Sequence, residues 1–466
     1  MQRIAGMVVG VVLLSSGPAV SDRVGADLKA TLRDSIASAR PMGNAPLDVA
    51  ALLVAARGAP PMICSLASRA VRNSGWGDWS DAPSTPLGSL IEIPSSSSGS
   101  SQLSAEDTDR LLVALSSDDA CVRELSVRLV TRQKNDVVAA GLMTRLTAAD
   151  ASLREVAALG LGLVEAPSAV DALVRSLRDG VAGVRANSAW ALGRIESGRA
   201  LVHLTPLFQD NAVAVREAAV IAVGRMDSVT AVASLMRVVR QDAAPSVRRA
   251  AAWALGQMES DAAVDVLADV LGRDGDARVR EMTAWALGQI ENRRAVAALS
   301  AAARRDADER VRETATWAIA EIGDRSAAET LGAIAASDRS SRVRGTAAWA
   351  IGQVGGNGTK APAGLLQVLR DESADARLKA AWALGQIGDQ AALPAIREAL
   401  RGEQSAEIQR ALIRAMMKSG ERSESALTEL LGSADARVRE AAVRGLAGGR
   451  SHNPWPWPWP RPRPMI

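Results

Sequence analysis

Aromatic residues are almost missing from this chain: they make up 3% of it, with one Phe and no Tyr among 466 residues. A β-sandwich core leans on aromatic and β-branched side chains, so the shortage argues against that class. Hydrophobic residues still reach 48%, and they are Ala, Val and Leu, which suit close helix packing. Histidine is as scarce, with only His203 and His452. No H-E-x-x-H occurs, which excludes a metalloprotease of the usual form, and a lone helical His reads as structural. Cys-x-x-Cys, a glycine-rich phosphate loop and a G-x-S-x-G elbow are also absent. Carboxylates abound but follow a repeat, so no isolated acid–base pair stands out. No cofactor or metal site is expected, and the chain reads as non-enzymatic. A surplus of one charge is lacking too: the net charge is +3, 23% of residues are charged, and no Lys/Arg block appears, so a nucleic-acid partner is not indicated.

The start of the chain predicts export. Arg3 supplies a small positive region, Ile4 to Leu14 is an uncharged apolar run of 11 residues, and Ala19 and Ser21 suit cleavage before Asp22. The run is short for a membrane span; the other reading is a buried helix. Residues 1–21 are therefore read as a signal peptide, with a periplasmic or secreted destination. No Cys follows the run, which disfavours a lipoprotein anchor. The two cysteines, Cys64 and Cys121, suit one disulfide in an exported protein, or else two buried small hydrophobes.

What is present in abundance is repetition. Ala252-Trp253-Ala254-Leu255-Gly256-Gln257 returns nearly unchanged at Ala284 to Gln289 and at Ala381 to Gln386, with Trp317 and Trp349 filling the interval at 32-residue steps. Outward from Trp253 the same place falls on Ile221, Trp190, Leu159 and Arg128, and beyond Trp382 on Arg414 and Arg444. That predicts about eleven units over residues 104–449. Five residues before the marker stands an Arg in every unit but one, where Gln409 replaces it, and in most units an Asp stands six before that Arg. Each unit divides into helix A and helix B, as at Arg294 to Arg304 and Glu309 to Ile322, with Gly323 closing helix B as a left-handed cap. One hairpin cannot bury its apolar stripes alone, so neighbours must stack. Residues 22–75, with helical patterns at Leu47 to Arg57 and Met62 to Val71, read as an N-terminal cap, and Ser/Pro-rich 76–103 as a linker. Residues 450–466 form a Trp/Pro-rich tail favouring polyproline II.

The Val-Arg, Ala-Trp-Ala-Leu-Gly and Ile-Gly-Asp elements resemble the HEAT-like repeats first named for phycobilin lyases. The resemblance implies an all-α fold, a right-handed α-solenoid of HEAT-type hairpins, in which the turn Asp of one repeat meets the helix B Arg of a neighbour. Carried over, that ladder runs Asp179/Arg185, Asp210/Arg216, Asp242/Arg248, Asp274/Arg280, Asp306/Arg312 and Asp338/Arg344. Glu403 and Gln409 depart from it. Di-iron hydroxylases built on such repeats need several His-Glu pairs, and this chain has none. A lyase-like activity is the enzyme-class alternative, which an export signal fits poorly.

On a helical wheel at 100° per residue, Val279, Thr283, Ala286 and Ile290 share one stripe, Trp285 falls about 240° round from Val279, and Arg280 lies on the opposite flank. This predicts a file of outward indoles on the concave side: Trp190, Trp253, Trp285, Trp317, Trp349 and Trp382, with Gln257, Gln289, Glu321, Gln353 and Gln386 one turn on. Trp with a carboxamide at i+4 resembles the peptide-binding surface of armadillo repeats. Amides can satisfy a peptide backbone while indoles supply apolar area, so the expected partner is a protein or extended peptide, proline-rich segments favoured. The competing reading is that the indoles only pack repeat against repeat. The tail Pro454 to Pro464 admits three uses: lying in this or another copy's groove or over its open end, touching membrane through Trp and Arg461/Arg463, or none.

Overall fold

The computed structural model describes residues 48–58, 103–356 and 358–421, with isolated positions between 428 and 443. They belong to two compact units, Met1–Ala191 and Leu192–Ile466. The described secondary structure is helical throughout.

A single helix, α1 (Val49–Ala56), precedes the repeats, and α2 (Ala105–Ala114), α3 (Ala120–Val130), α4 (Asp136–Arg145), α5 (Ala151–Val164), α6 (Val170–Ser176) and α7 (Ala182–Ile195) follow. Then come α8 (Leu201–Leu204), α9 (Val213–Arg225), α10 (Val232–Gln241), α11 (Pro245–Gln257), α12 (Val264–Arg273), α13 (Ala277–Ile290) and α14 (Val296–Arg305). The last are α15 (Glu309–Ile322), α16 (Ala328–Ser337), α17 (Ser341–Val354), α18 (Ala363–Val368), α19 (Ala374–Ile387), α20 (Leu393–Gly402) and α21 (Ala406–Lys418). Even-numbered helices from α2 onward are the A helices and odd-numbered ones from α3 the B helices, giving ten described hairpins. The eleventh expected unit lies largely outside the described residues, as do the signal segment, Met62 to Val71, the linker and the Trp/Pro tail.

Local chemistry explains the boundaries. Asp276 and Asp308 N-cap α13 and α15, each carboxylate accepting two backbone amides. The A helices are amphipathic: α12 buries Val264, Val266, Leu267, Val270 and Leu271 against its own B helix and its neighbours. Gly323 and Gly388 close α15 and α19 with φ 67° each. Five earlier turns place an acid in that left-handed position instead: Glu165, Glu196, Asp227, Glu259 and Glu291, at φ 44–56°. A side chain there costs what glycine avoids.

Two places depart from the common unit. In the N-terminal unit α1 packs on the first hairpin, where Ala56, Cys121, Val122 and Leu125 cluster with Leu53 and Ala114 and the Gly58 amide donates to Asp119 Oδ2 at 2.6 Å. Cys121 takes part in a disulfide; Cys64 lies outside the described residues. Further on, α18 is short, and the connection before it is tied to the next repeat by Gly358 N to Ile387 O (2.7 Å) and Ala361 N to Asp389 Oδ2 (2.9 Å). There Gly364 meets the backbone of Gly332 so closely that a methyl group would stand 1.9 Å from its carbonyl oxygen.

Candidate functional site

A B helix inside the stack, such as α13, has three neighbours: its A helix α12 and, on its two flanks, the B helices α11 and α15. The two sequence markers turn out to serve those two flanks. The Arg reaches forward. Arg154 grips Asp179 through Nε and Nη2 at 2.7 and 3.0 Å, and the same fork joins Arg216 to Asp242, Arg248 to Asp274, Arg280 to Asp306, Arg312 to Asp338 and Arg344 to Asp371. Bidentate forks of this kind fix orientation as well as attraction.

The expected rungs, each joining an Asp to the Arg six residues on, are corrected accordingly. The Asp179 carboxylate is gripped by Arg154 and not by Arg185, the partner expected from the sequence. Arg185 instead donates from Nη1 to the backbone carbonyls of Asp179 and Gly180, at 2.9 and 3.3 Å. Likewise Arg216 Nη1 donates to the Asp210 carbonyl at 2.9 Å. The same loop bond, at 2.8–3.1 Å, joins Arg248 to Asp242, Arg280 to Asp274, Arg312 to Asp306 and Arg344 to Asp338. The carboxylate that the described forks grip belongs to the following repeat. The turn explains why: each Asp spends one oxygen on its own loop, as when Asp274 Oδ1 accepts from the Asp276 amide at 2.9 Å, which aims the carboxylate back at the preceding repeat. At the irregular unit the ladder continues with other residues. Glu403 accepts from Arg377 at 2.8 Å, and Gln409 Nε2 supplies the loop bond to the Glu403 carbonyl at 2.7 Å.

The Trp reaches backward. A methyl group on Gly162 would stand 2.6 Å from Cζ3 of Trp190; on Gly224, 3.0 Å from Trp253; on Gly256, 3.0 Å from Trp285; on Gly288, 2.9 Å from Trp317; and on Gly352, 2.6 Å from Trp382. Each of these indoles thus lies over the glycine of the preceding Leu-Gly or Ile-Gly pair, or its Val-Gly equivalent. The expectation of an open indole file does not hold. Trp190, Trp253, Trp285 and Trp317 are 3%, 8%, 9% and 2% exposed, and only Trp349 and Trp382 are half-buried. The wheel placed the indole away from the hairpin core correctly, but that direction faces a neighbouring B helix. Position 320 carries Ala instead of Gly, and the indole that follows it, Trp349, is one of the two less enclosed.

The side chains one turn on stay accessible: the carboxamides of Gln257, Gln353 and Gln386 are exposed, and that of Gln289 and the carboxylate of Glu321 are half-buried. Much of the remaining outward surface of the middle B helices is ionic, a feature missed in the repeat pattern although Glu217, Arg249, Glu281 and Glu313, each directly after a ladder Arg, could have signalled it. Arg342 pairs with Glu313, its Nε at 2.8 Å, and Ser340 Oγ donates to Glu309 at 2.8 Å. Burial pushes the Glu281 carboxyl above its ordinary value, against the pull of Arg310. In α19 the corresponding residue is Leu378, half-buried one turn before Trp382.

Among the described residues no group of three or more His, Cys, Asp or Glu side chains is placed to hold a metal ion, and no helix is long and apolar enough to cross a membrane.

Stacked helical hairpins, with Arg–Asp forks reaching forward and indoles packed back on glycines across the same junctions, define an α-solenoid. The HEAT-repeat family model matches residues 139–222, 207–288, 271–352 and 362–447, more than half of the chain, so the chain belongs to the HEAT-repeat family. Among curated proteins, none matches this sequence. Similar solved structures include an engineered protein, 20% identical over 73% of this chain and 98% of that one with a TM-score of 0.38. Others are the Escherichia coli protein YibA, 18% identical over 53% and 91% with a TM-score of 0.43, and Kap95p in complex with RanGDP, 14% identical over 74% and 56% with a TM-score of 0.52. At 14% identity the likeness to Kap95p concerns the fold alone.

Proposed function

We propose that this chain is an exported, non-enzymatic scaffold that holds an extended, proline-containing polypeptide on the outward surface of its later B helices. One observation carries the reading: half-buried Trp349 and Trp382 each stand four residues before an exposed carboxamide, Gln353 and Gln386. An accessible indole offers apolar area to a proline ring, and a carboxamide one turn away can both donate to and accept from a peptide unit. The earlier indoles are sealed into the stack and are assigned to structure. The short apolar run after Arg3 supports export.

The test is a defined set of extended peptides, with and without proline, titrated into the full chain. Proline-containing peptides should bind, and Trp382→Ala or Gln353→Ala with Gln386→Ala should weaken binding at least tenfold while circular dichroism stays unchanged. Equal binding by these variants would remove the proposed track. Export is tested separately by fusing residues 1–40 to a reporter active only outside the cytoplasm; an inactive fusion sinks that part.

A further inference from the structure

Close packing over the glycine is left unmade at one place. Gly162, Gly193, Gly224, Gly256, Gly288 and Gly352 are all buried, whereas their counterpart Gly385 in the last turn of α19 is half-exposed. At the six buried glycines a methyl group would meet Cα of the next repeat's Ala at 2.6–3.0 Å, but at Gly385 the nearest atom is Cα of Ala415 at 3.7 Å, and the three nearest atoms all belong to Ala415. The B helix that follows, α21, contains no aromatic residue and carries Arg414 where an indole would stand. The groove between α19 and α21 is thus built on the pattern that receives an indole elsewhere, and no ring fills it. Beside it α19 presents an apolar outward strip, in which Leu378 and Trp382, half-buried, lead to Gly385.

Five indoles have no place in the repeat pattern: Trp76 and Trp79, and, each between prolines, Trp455, Trp457 and Trp459. We infer that this Trp/Pro segment is the occupant: it lies over Trp382 and Gly385 of its own molecule, one indole in the vacant notch and the neighbouring prolines against the Trp382 ring. The inference rests on the reading of the Trp382 surface as a track for extended peptide and names the partner. Reach permits it. The continuous described chain ends at Glu421, which pairs with Arg397 of α20, and Trp457 stands 36 residues after it; even at a helical rise of about 1.5 Å per residue that length is about 50 Å, enough to return to the groove beside α21. A polyproline II segment binds with little conformational freedom left to lose, and tethering raises its effective concentration to about the millimolar range. The tail therefore acts as a built-in competitor for the peptide track.

The experiment uses the full chain with Trp455, Trp457 and Trp459 all changed to Ala, titrated with a fluorescent peptide of residues 454–464. Saturable binding is expected. It should be at least tenfold weaker in the unmodified chain, whose own tail competes, and at least tenfold weaker when Gly385→Met fills the notch of the triple variant. Trp382→Ala provides the same readout should Gly385→Met disturb folding. Absence of binding to the triple variant, or binding indifferent to both notch changes, overturns the inference. So does a tail-dependent dimer in sedimentation, which would put the segment on a second copy. If other proline-containing peptides bind at Trp382 while this one does not, the peptide track stands and only its tail occupant falls.

Discussion

Cζ3 of Trp285 lies where a side chain on Gly256 would begin: a methyl group there would stand 3.0 Å from the ring and 2.8 Å from Cα of Ala286. Trp and Gly are thus one device split between two repeats, the ring supplied by the later helix and the space by the earlier.

Adding a methyl at such a site forces helix Cα atoms apart, and overpacking of this kind costs about 1–3 kcal/mol. Gly256→Ala should therefore lower the urea midpoint even though Ala is the better helix former. At Gly385 the same change meets only a contact at 3.7 Å, so the gain in helix propensity, about 1 kcal/mol, should raise the midpoint. Two shifts of the same sign would show that packing over the glycine is not the deciding factor.

Arg312 and Asp338 form the most enclosed rung, with side chains 4% and 6% exposed. Arg312→Met leaves the Asp338 carboxylate buried without its fork, and loss of one partner from such a pair costs about 3–5 kcal/mol. The double variant Arg312→Met with Asp338→Leu should recover a large part of that. Denaturant titration of the two variants beside the unmodified chain reads this directly; a double variant as unstable as the single would mean the pair contributes more than mutual neutralisation.

Glu291 sits at φ 54° just past the end of α13. A non-glycine residue in that conformation costs roughly 1–2 kcal/mol, and a negative charge at a helix C-terminus adds a few tenths. Glu291→Gly should raise stability by about 1 kcal/mol, read as a higher melting midpoint. An unchanged or lower midpoint would point to a role for the carboxylate.

Acid should act through the ladder. At Asp274, Asp306, Asp371 and Glu403 burial pushes the carboxyl upward, but the arginine fork and a loop amide outweigh it, so each lies below its ordinary value of 3.8 or 4.5. A folded-state pKa below the unfolded one contributes stability that is complete above the unfolded value and disappears as pH falls through the folded value. The melting midpoint should thus drop steeply below about pH 4. Burial pushes Glu155 and Glu281 the other way, so their ionisation costs stability as pH rises through their folded values, and Glu281→Gln should raise the midpoint at neutral pH. A midpoint flat down to about pH 2 would contradict the ladder's role.

The 32-residue recurrence, the division of each unit at its turn Asp, and the core stripe of Val279, Thr283 and Ile290 were all legible in the sequence, because periodicity and capping chemistry act within one hairpin. The pairing of Arg280 with Asp306, instead of Asp274, was not. Nor was the burial of Trp285 against Gly256. Both depend on how far one hairpin is rotated and shifted onto the next, and that is set by the packing of whole helix surfaces between repeats. A wheel drawn on a single helix says which side chains share a side; only the stacked neighbour decides whether that side meets water or another chain segment.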